Sequence, residues 1–254
     1  MTNSAPIQFV EQFHLLFLVQ LSRRVDKRSL VVKGGCNLRF FYRSLRYSED
    51  MDLDVGGIDP LALRDKVREI VRSLPFAQIL EARGIGIEHV TEHKQTDTTQ
   101  RWKLGLRVSG NAVPLPTKIE FSRRGLDEGV EFGSVDASVA REYQLPPLMV
   151  SHYSAATALR QKVGALAGRR EIQARDVFDV HHLMATAGAL DAVTDVEPAV
   201  AARASANAMM VDFGMFRSQV LAYLPPEDRP NYDESSTWDT IVLEVVDALK
   251  AGRS

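Results

Sequence analysis

The stretch KGGCNLRFFYRSLRYSEDMDLD, which runs from Lys33 to Asp54, places three alternating aspartates shortly after a Gly-Gly pair. The β-branched run before the glycines, residues 30–33, predicts a short strand that ends at the pair. Residues 37–45 predict a helix, and residues 51–55 predict a second strand. The order strand, glycine turn, helix, strand is typical of an α/β domain.

The aspartates at the end of this stretch share one side of the predicted strand. Alternate side chains of a strand point to the same face, so Asp50, Asp52 and Asp54 would lie together, with neighbouring Cα atoms about 6.5–7 Å apart. Their charges repel one another, and a divalent cation would remove that cost. The alternative is an exposed edge strand with a solvated acidic face.

A third carboxylate comes from the segment TKIEFS, residues 117–122, which predicts another strand. Glu120 shares a face of that strand with Lys118 and would join the aspartates if the two strands were neighbours. Mg²⁺ binds a few carboxylates and completes its shell with water and phosphate oxygens. Paired ions of this kind serve in-line nucleotidyl transfer. Asp50, Asp52 and Glu120 are therefore predicted metal ligands.

The Gly34-Gly35 pair predicts a phosphate-binding turn beside this site. A strand followed by two glycines and a helix leaves backbone N–H groups exposed at a positively polarised helix end. Taken alone, a Gly-Gly pair is only a turn signal. Its position close to the aspartates in the sequence is what favours phosphate binding.

The remaining sequence predicts an α+β fold in two parts: an α/β domain with a mixed sheet, residues 1–150, and a helical domain, residues 151–254. A helix is predicted over residues 7–24, and another opens at the Asp59-Pro60 cap and is closed by Pro75. Three strands are predicted between 85 and 122, followed by a loop-rich passage over 123–150. The C-terminal helices are predicted over 154–168, 173–188, 194–210 and 237–251.

Composition excludes some classes of function. The 254 residues are 45% hydrophobic and 25% charged with a net charge of −2, so any polyanion would have to bind a local patch. In the predicted strand 101–108, Arg101, Lys103 and Arg107 form a basic face that is either such a patch or solvated surface. A single Cys36 indicates a reducing compartment, and the apolar run 13–21 is too short to span a membrane. We therefore expect a cytoplasmic protein without a membrane partner.

The opening stretch resembles the first motif of the AbiEii/AbiGii-type nucleotidyltransferase toxins, which belong to the DNA polymerase β-like superfamily. That motif runs Lys-Gly-Gly-Thr/Ser-x-Leu, a spacer, and then Arg-Phe/Tyr-Ser-x-Asp-x-Asp. The matching residues are Lys33, Gly34, Gly35, Leu38, Arg46, Tyr47, Ser48, Asp50 and Asp52. Cys36 departs from the motif, because a hydroxyl residue is usual there and a thiol is a weaker hydrogen-bond donor.

A second resemblance covers ATALRQKVGALAGRREIQARDVFDVHHL, residues 156–183, which is similar to the family's lysine helix and its Arg-Asp-x-x-Asp helix. Lys162, Arg175, Asp176 and Asp179 fall on those positions. A lysine is a compact charge suited to a triphosphate. The alternative is a structural ion-pair cluster in which Lys162 joins the two helices through Asp176 or Asp179.

The resemblance implies a Mg²⁺-dependent nucleotidyltransferase. Asp50 and Asp52 would hold the metal, and Glu120 would complete the site or help activate an acceptor hydroxyl. Lys162 would neutralise the triphosphate, and Asp176 would orient the nucleotide or the lysine. The implied nucleotide-binding residues are Lys33, Gly34, Gly35, Cys36, Arg46, Ser48 and Lys162.

The resemblance also implies partners: an NTP, an RNA acceptor such as the 3′ end of tRNA, and a separate antitoxin protein, the chain being the toxin of a toxin–antitoxin or phage-defence pair. Two other functions stay open at this point. One is nucleotide transfer to a protein or a small molecule. The other is a non-catalytic module that binds nucleotide or RNA.

Overall fold

The computed structural model describes residues 6–252. This part of the chain contains a mixed β-sheet, and α-helices precede, connect and follow its strands in the sequence. The strands are β1 (Leu30–Lys33), β2 (Asp50–Val55), β3 (Ile85–Gln95), β4 (Thr99–Val108), β5 (Leu115–Ser122), β6 (Val130–Ser134) and β7 (Met149–Tyr153). The helices are α1 (Pro6–Ser22), α2 (Gly34–Tyr42), α3 (Pro60–Arg72), α4 (Leu74–Glu81), α5 (Ala137–Glu142), α6 (Ala155–Gly168), α7 (Ala174–Met184), α8 (Pro198–Ala208), α9 (Phe213–Gln219) and α10 (Ser235–Ala251).

The strands form one sheet in the order β3-β4-β5-β2-β1-β7-β6. β2 pairs in parallel with β5, and β1 pairs in parallel with β7. The pairs β1–β2, β3–β4 and β4–β5 are antiparallel. The sheet is therefore mixed, and the predicted α+β class is confirmed.

The chain divides into two compact units. The first comprises residues up to Cys36 and Tyr47–His152, and the second comprises Asn37–Arg46 and the chain from Tyr153 onward. Helix α2 thus begins in the first unit and continues in the second. The predicted limits of independently folding domains, 1–150 and 151–254, stay a prediction.

The core of the first unit follows the predicted periodicities. Along β4, Trp102, Leu104, Leu106 and Val108 are at most 3% exposed, while the residues between them form the opposite face. On α1, the side chains predicted to be buried, Val10, Phe13, Phe17 and Leu21, are buried, but so is every other residue from Val10 to Leu18. The helix is therefore enclosed on all sides over that stretch, and it packs on β4 and β5. Burying one large apolar side chain contributes about 1.5–3 kcal/mol, so each of these buried side chains stabilises the unit.

The sequence predicted that Pro75 ends the helix that begins at Pro60, and this prediction is wrong. Helix α3 begins at Pro60 with Asp59 as its N-cap, as expected, but it ends at Arg72. The Ser73 side chain then accepts a hydrogen bond from the backbone N–H of Phe76 and caps the new helix α4. Pro75 lies in the first turn of α4, where the missing N–H of proline costs nothing.

The passage 123–150 was predicted as loop but contains β6, α5 and the start of β7. β7 pairs with β1 through the register Val31↔Ser151 and Val32↔His152. Its sequence, MVSHY, does not alternate between apolar and polar residues, and β6 is only five residues long. Both strands are defined by the neighbours they pair with, so local sequence did not indicate them.

The second unit is a helical cluster around the aromatic side chains of Phe178, Phe216 and Trp238. The rings of Phe216 and Trp238 stack with centroids 4.5 Å apart, and the Trp238 indole N–H donates to the Val211 carbonyl at 3.0 Å. The predicted helices correspond to α6, α7, α8 and α10. The seven-residue helix α9 was missed because it is too short to show a period.

Within residues 6–252, every helix falls short of the length and apolar character needed to cross a bilayer.

Candidate active site

The predicted carboxylates lie together on one face of the sheet. β2 and β5 are parallel neighbours, with Asp50 opposite Lys118 and Asp52 opposite Glu120. β2 is an inner strand between β1 and β5, so the alternative of an exposed acidic edge strand is wrong. The parallel pairing brings the three predicted metal ligands to one place on the sheet.

A lysine stands between these carboxylates. The Lys118 ammonium is 3.1 Å from Asp50 Oδ2, 3.9 Å from Asp52 Oδ1 and 3.6 Å from Glu120 Oε2. Burial alone would lower the pKa of Lys118, but the charges of Asp52 and Asp50 raise it above its usual value. The ammonium therefore stays charged and offsets the repulsion among the carboxylates.

The carboxylates differ in their environments. Burial raises the pKa of Asp52, and the charge of Lys118 offsets only part of that rise. Burial acts in the same direction on Glu120, but the hydrogen bond from Arg101, at 2.6 Å, and the charge of Lys118 bring the Glu120 pKa below its usual value. Of these two carboxylates, Asp52 is thus the one that would gain more from an additional cation.

The third aspartate of the strand has a structural partner. The Asp54 carboxylate is buried and forms an ion pair with the Lys33 ammonium at 2.5 Å. Lys33 lies opposite Asp52 in the antiparallel β1–β2 ladder, so the ammonium reaches diagonally to Asp54. Asp54 is therefore not a surface residue.

Glycine is required where α2 begins. Gly34 has a φ of +64°, which disfavours any residue with a side chain, and a Cβ there would lie 3.1 Å from Asp52 Oδ2. The helix begins at Gly34 itself, three residues before the predicted start. The start of α2 therefore lies against the Asp52 side chain. Phosphate binding by the backbone N–H groups of Gly34 and Gly35 stays a prediction.

The backbone of Asp50 is held by two side chains. The Ser48 hydroxyl donates to the Asp50 carbonyl at 2.8 Å, and the Cys36 thiol lies 3.3 Å from the same oxygen. Cys36 is only 1% exposed, so its thiol supports the strand and leaves only its backbone for phosphate contact. Nucleotide binding by Cys36 and Ser48 stays a prediction.

A buried chain of hydrogen bonds lies behind these residues. The Thr117 hydroxyl donates to the Glu49 carbonyl at 2.7 Å, so it accepts from His14 Nε2, also at 2.7 Å. That direction leaves Nδ1 of His14 as an acceptor 3.8 Å from the Cys36 sulfur, whose single S–H donates either to this nitrogen or to the Asp50 carbonyl. Complete burial lowers the pKa of His14 to about 3, so the imidazole is neutral. His14 and Thr117 thus fix the segment from which Asp50 projects.

The donor chemistry of the cluster fits Mg²⁺. Asp50, Asp52 and Glu120 supply only carboxylate oxygens, which Mg²⁺ prefers. In residues 6–252 no group of three or more His, Cys, Asp or Glu side chains is arranged to hold a metal ion as it stands. In this cluster the Lys118 ammonium occupies the cation position among the carboxylates.

The other predicted site residues belong to the second unit and form a buried ion-pair cluster. Lys162 is 2.6 Å from Asp179 and 3.4 Å from Asp176. The Arg46 guanidinium binds Asp179 through two hydrogen bonds of 3.1 and 2.8 Å. Arg169 pairs with Asp176 at 2.5 Å. This is the structural arrangement that the sequence had left open as an alternative for Lys162.

Both aspartates of the cluster are completely buried. Burial alone would raise the pKa of Asp179, but Arg46 and Lys162 lower it to about 2. The roles predicted for Lys162, Asp176 and Arg46 in nucleotide binding stay predictions. In this structure all three side chains are bound to partners within the second unit.

Sequence reasoning missed three residues of these two networks: His14, Thr117 and Arg169. Arg169 follows the lysine helix α6 directly and pairs with Asp176. His14 lies within the apolar run 13–21 of α1, where a polar residue indicates a buried hydrogen-bond partner. That signal was available in the sequence, but its partner on β5 was not.

The chain matches a known protein family over most of its length. A model of the family described as nucleotidyl transferase AbiEii toxin, type IV TA system, matches residues 16–240. No curated protein sequence matches the chain at a significant level.

Several solved structures share the fold. A candidate nucleotidyltransferase from H. pylori is 18% identical, with a TM-score of 0.60 over 98% of this chain and 95% of that one. JHP933 from Helicobacter pylori is 16% identical, with a TM-score of 0.58 over 98% and 96%. MenT4, a nucleotidyltransferase toxin from Mycobacterium tuberculosis, is 18% identical, with a TM-score of 0.60 over 96% and 82%.

The fold and the family match together define a nucleotidyltransferase. The chain belongs to the AbiEii family of nucleotidyltransferase toxins, as the resemblance of its two motifs had predicted.

Replacing Asp179 by Asn should lower the free energy of unfolding by about 3–5 kcal/mol at neutral pH, because Arg46 and Lys162 would be left buried without their counter-charge. The Asp179 pKa is lowered by folding, so its contribution is present above about pH 4 and is lost as the pH falls through about 2. Urea unfolding measured at several pH values tests this.

The control is Asp233→Asn, which breaks the exposed pair with Arg217 and should change the free energy of unfolding by less than about 1 kcal/mol. Equal losses in both variants would contradict the assignment.

Thr117→Val should destabilise the protein by about 1–3 kcal/mol, because the His14 N–H and the Glu49 carbonyl both lose their partner. The loosened Glu49–Asp50 segment should also lower the rate of nucleotide transfer. Thr117→Ser retains the hydroxyl and should restore both properties. Thermal unfolding and transfer assays on the two variants check this, and a Val variant with the stability and the rate of the wild type would contradict it.

Proposed function

We propose that the protein is a Mg²⁺-dependent nucleotidyltransferase toxin that transfers a nucleotide from an NTP to a hydroxyl of an RNA acceptor. One observation carries the proposal: Asp50, Asp52 and Glu120 share a face of adjacent strands, and Asp52 lies against the glycine start of α2. Carboxylates for a cation thus lie beside the start of a helix, where the first N–H groups lack partners within the helix and can bind phosphates. In-line transfer to an acceptor oxygen, with pyrophosphate leaving, needs both.

The residues of the chain have separate tasks in this reaction. Asp50 and Asp52 hold the metal, which would supply positive charge at the reacting phosphate. Glu120 completes the carboxylate set or accepts the proton of the acceptor hydroxyl. The backbone N–H groups at Gly34 and Gly35 hold the triphosphate, and Gly34 permits the close approach. Positioning and charge neutralisation then supply most of the catalysis.

The Lys118 ammonium has a place in this proposal. It neutralises the carboxylates while no metal is bound, so the charged cluster can be built without a prohibitive cost. Its exchange for a divalent cation would leave the ammonium free to contact a phosphate oxygen. Lys162 and Asp176 keep their proposed roles at the triphosphate on the basis of the family motif.

Membership of the family supports a proposal about the acceptor and the partners. We infer that the acceptor is RNA, with the 3′ end of tRNA as the first candidate, and that a separate antitoxin protein restrains the toxin. The reaction would take place in the cytoplasm, which supplies NTPs and RNA and suits a chain with a single, buried, unpaired cysteine.

The test is to incubate the purified protein with each labelled NTP, Mg²⁺ and total RNA from a bacterium. Label should enter material that RNase destroys and protease does not. Label in material that only protease destroys would show that the acceptor is a protein and not RNA. If no pyrophosphate is released with any NTP and acceptor, the protein is a non-catalytic binding module.

Asp52→Asn should abolish transfer and raise the melting temperature at neutral pH. Burial raises the Asp52 pKa, so the ionised carboxylate opposes folding, and the neutral amide removes that opposition. The exposed Asp97 offers a control, and Asp97→Asn should change neither property. Near wild-type transfer by Asp52→Asn at saturating Mg²⁺ would show that the metal site lies elsewhere.

A further inference from the structure

The sheet face that carries the carboxylates continues onto β4 and β3. Arg101 lies opposite Glu120 and belongs to the same face as Asp52. From Arg101, this face extends across the β3–β4 ladder through the pairs Lys94↔Arg101, Thr91↔Lys103, His89↔Gly105 and Gly86↔Arg107. We call these eight residues the ribbon face. All of them except Gly86, Arg101 and Gly105 are exposed.

Two glycines of the ribbon face each lie under a planar side chain. A Cβ on Gly105 would lie 2.8 Å or less from three ring atoms of His89, so the imidazole fills the space above this glycine. A Cβ on Gly86 would lie 2.9 Å from a terminal nitrogen of Arg107, so the guanidinium lies over Gly86. Neither glycine has a positive φ, so the close approach of a planar group is what requires glycine here.

The cations of the ribbon face are available to a ligand. Lys94, Lys103 and Arg107 are exposed and form no ion pair within residues 6–252, whereas Arg101 is occupied by Glu120. No acidic side chain stands in the paired positions of β3 and β4 on this face. Cavities of about 390 and 290 Å³ are both lined by Gly86 and Arg107, which leaves room for a planar group beside the guanidinium. Glu81 also lines both cavities and Glu88 lines the smaller one, although neither belongs to the ribbon face.

We propose that the ribbon face binds a single-stranded nucleic acid. Its bases stack on the His89 ring and the Arg107 guanidinium, and its phosphates are bound by Lys94, Lys103 and Arg107. Single strands bind in this way, on aromatic rings and arginine planes beside a line of cations. This inference rests on the proposed function, which identifies the bound nucleic acid as the RNA acceptor. Because the carboxylates lie on the same face of the sheet, the end of the bound RNA would reach Asp50, Asp52 and Glu120.

Other occupants fit the ribbon face less well. From Arg101 to Arg107 the strand covers about 20 Å, which exceeds the length of the triphosphate of one nucleotide. An acidic protein segment would pair with the cations but would not use the planar groups over Gly86 and Gly105. A nucleic-acid strand uses both, because each nucleotide carries a phosphate and a flat base.

The first test measures the binding of a fluorescently labelled, mixed-sequence single-stranded RNA to the full-length protein without NTP, at several salt concentrations. The variant Lys94→Gln/Lys103→Gln/Arg107→Gln should lower the slope of log affinity against log salt by about 2, because each phosphate that a cation neutralises contributes about 0.7 to that slope. The control Arg23→Gln/Arg28→Gln/Arg141→Gln removes the same charge from exposed sites of the same unit and should keep the wild-type slope. Equal slopes in the two triple variants would overturn the assignment of the phosphates.

The second test displaces a ring without changing any charge. Gly105→Ala should push the His89 ring off the sheet and weaken RNA binding by between about 5-fold and about 100-fold, with an unchanged salt slope. Gly133→Ala on β6 crowds His152 in the same manner and should bind RNA like the wild type. Thermal unfolding of both variants shows that the fold persists. Equal RNA affinity of the two alanine variants would overturn the stacking platform.

The outcomes separate this inference from the proposed function. Wild-type protein that binds RNA through the ribbon face but labels no RNA supports the surface and contradicts RNA as the acceptor. RNA labelling that is equally efficient in the wild type and in all of these variants supports the function and overturns the surface. An NTP affinity that falls in the Lys94, Lys103 and Arg107 variant, with RNA binding unchanged, would assign these cations to the triphosphate instead.

Discussion

The structure of the first unit depends on the charge balance around the acidic strand β2. Three aspartates on an inner strand would repel one another, and a neighbouring carboxylate on β5 adds to that repulsion. Lys118 and Lys33 each reach into this group and pair with Asp50 and Asp54. The parallel β2–β5 register makes this possible, because it sets Lys118 and Glu120 directly beside the aspartates. The same arrangement explains why a divalent cation is the expected ligand.

The second unit also contains buried carboxylates, and their charges are compensated by ion pairs. Its two buried aspartates are held by Lys162, Arg46 and Arg169, so each charge has a partner inside the unit. A buried ion-pair cluster is costly to break and gives little net stability, but it fixes the geometry of its members. Arg46 follows α2 directly and binds Asp179 on α7, which ties the first motif of the sequence to the second.

The sequence predicted those parts of the fold that have a clear local period. The alternation of β4 and the buried apolar residues of α1 are predicted correctly, although α1 is enclosed on more than the one predicted face, and the acidic strand β2 is placed to within one residue. β7 could not be predicted, because it is defined by its pairing with β1 and not by its own pattern. The prediction at Pro75 was wrong because a proline can follow the end of one helix or lie in the first turn of the next, and the local sequence does not distinguish the two. For the site, residue types indicated Asp50, Asp52 and Glu120. The position of Lys118 among them required the parallel register, and the hydrogen-bond chain from His14 to Glu49 required the packing of α1 on β5.

The central claim is that the carboxylate face binds a divalent cation beside a triphosphate held at the start of α2. The most direct measurement is a crystal structure with Mn²⁺ and a non-hydrolysable NTP analogue, in which anomalous scattering locates the ion. We expect an anomalous peak within coordination distance of Asp50 and Asp52, phosphate oxygens on the N–H groups of Gly34 and Gly35, and a Lys118 ammonium displaced from the carboxylates. An ion bound away from both aspartates, or a triphosphate bound away from the two glycines, would contradict it.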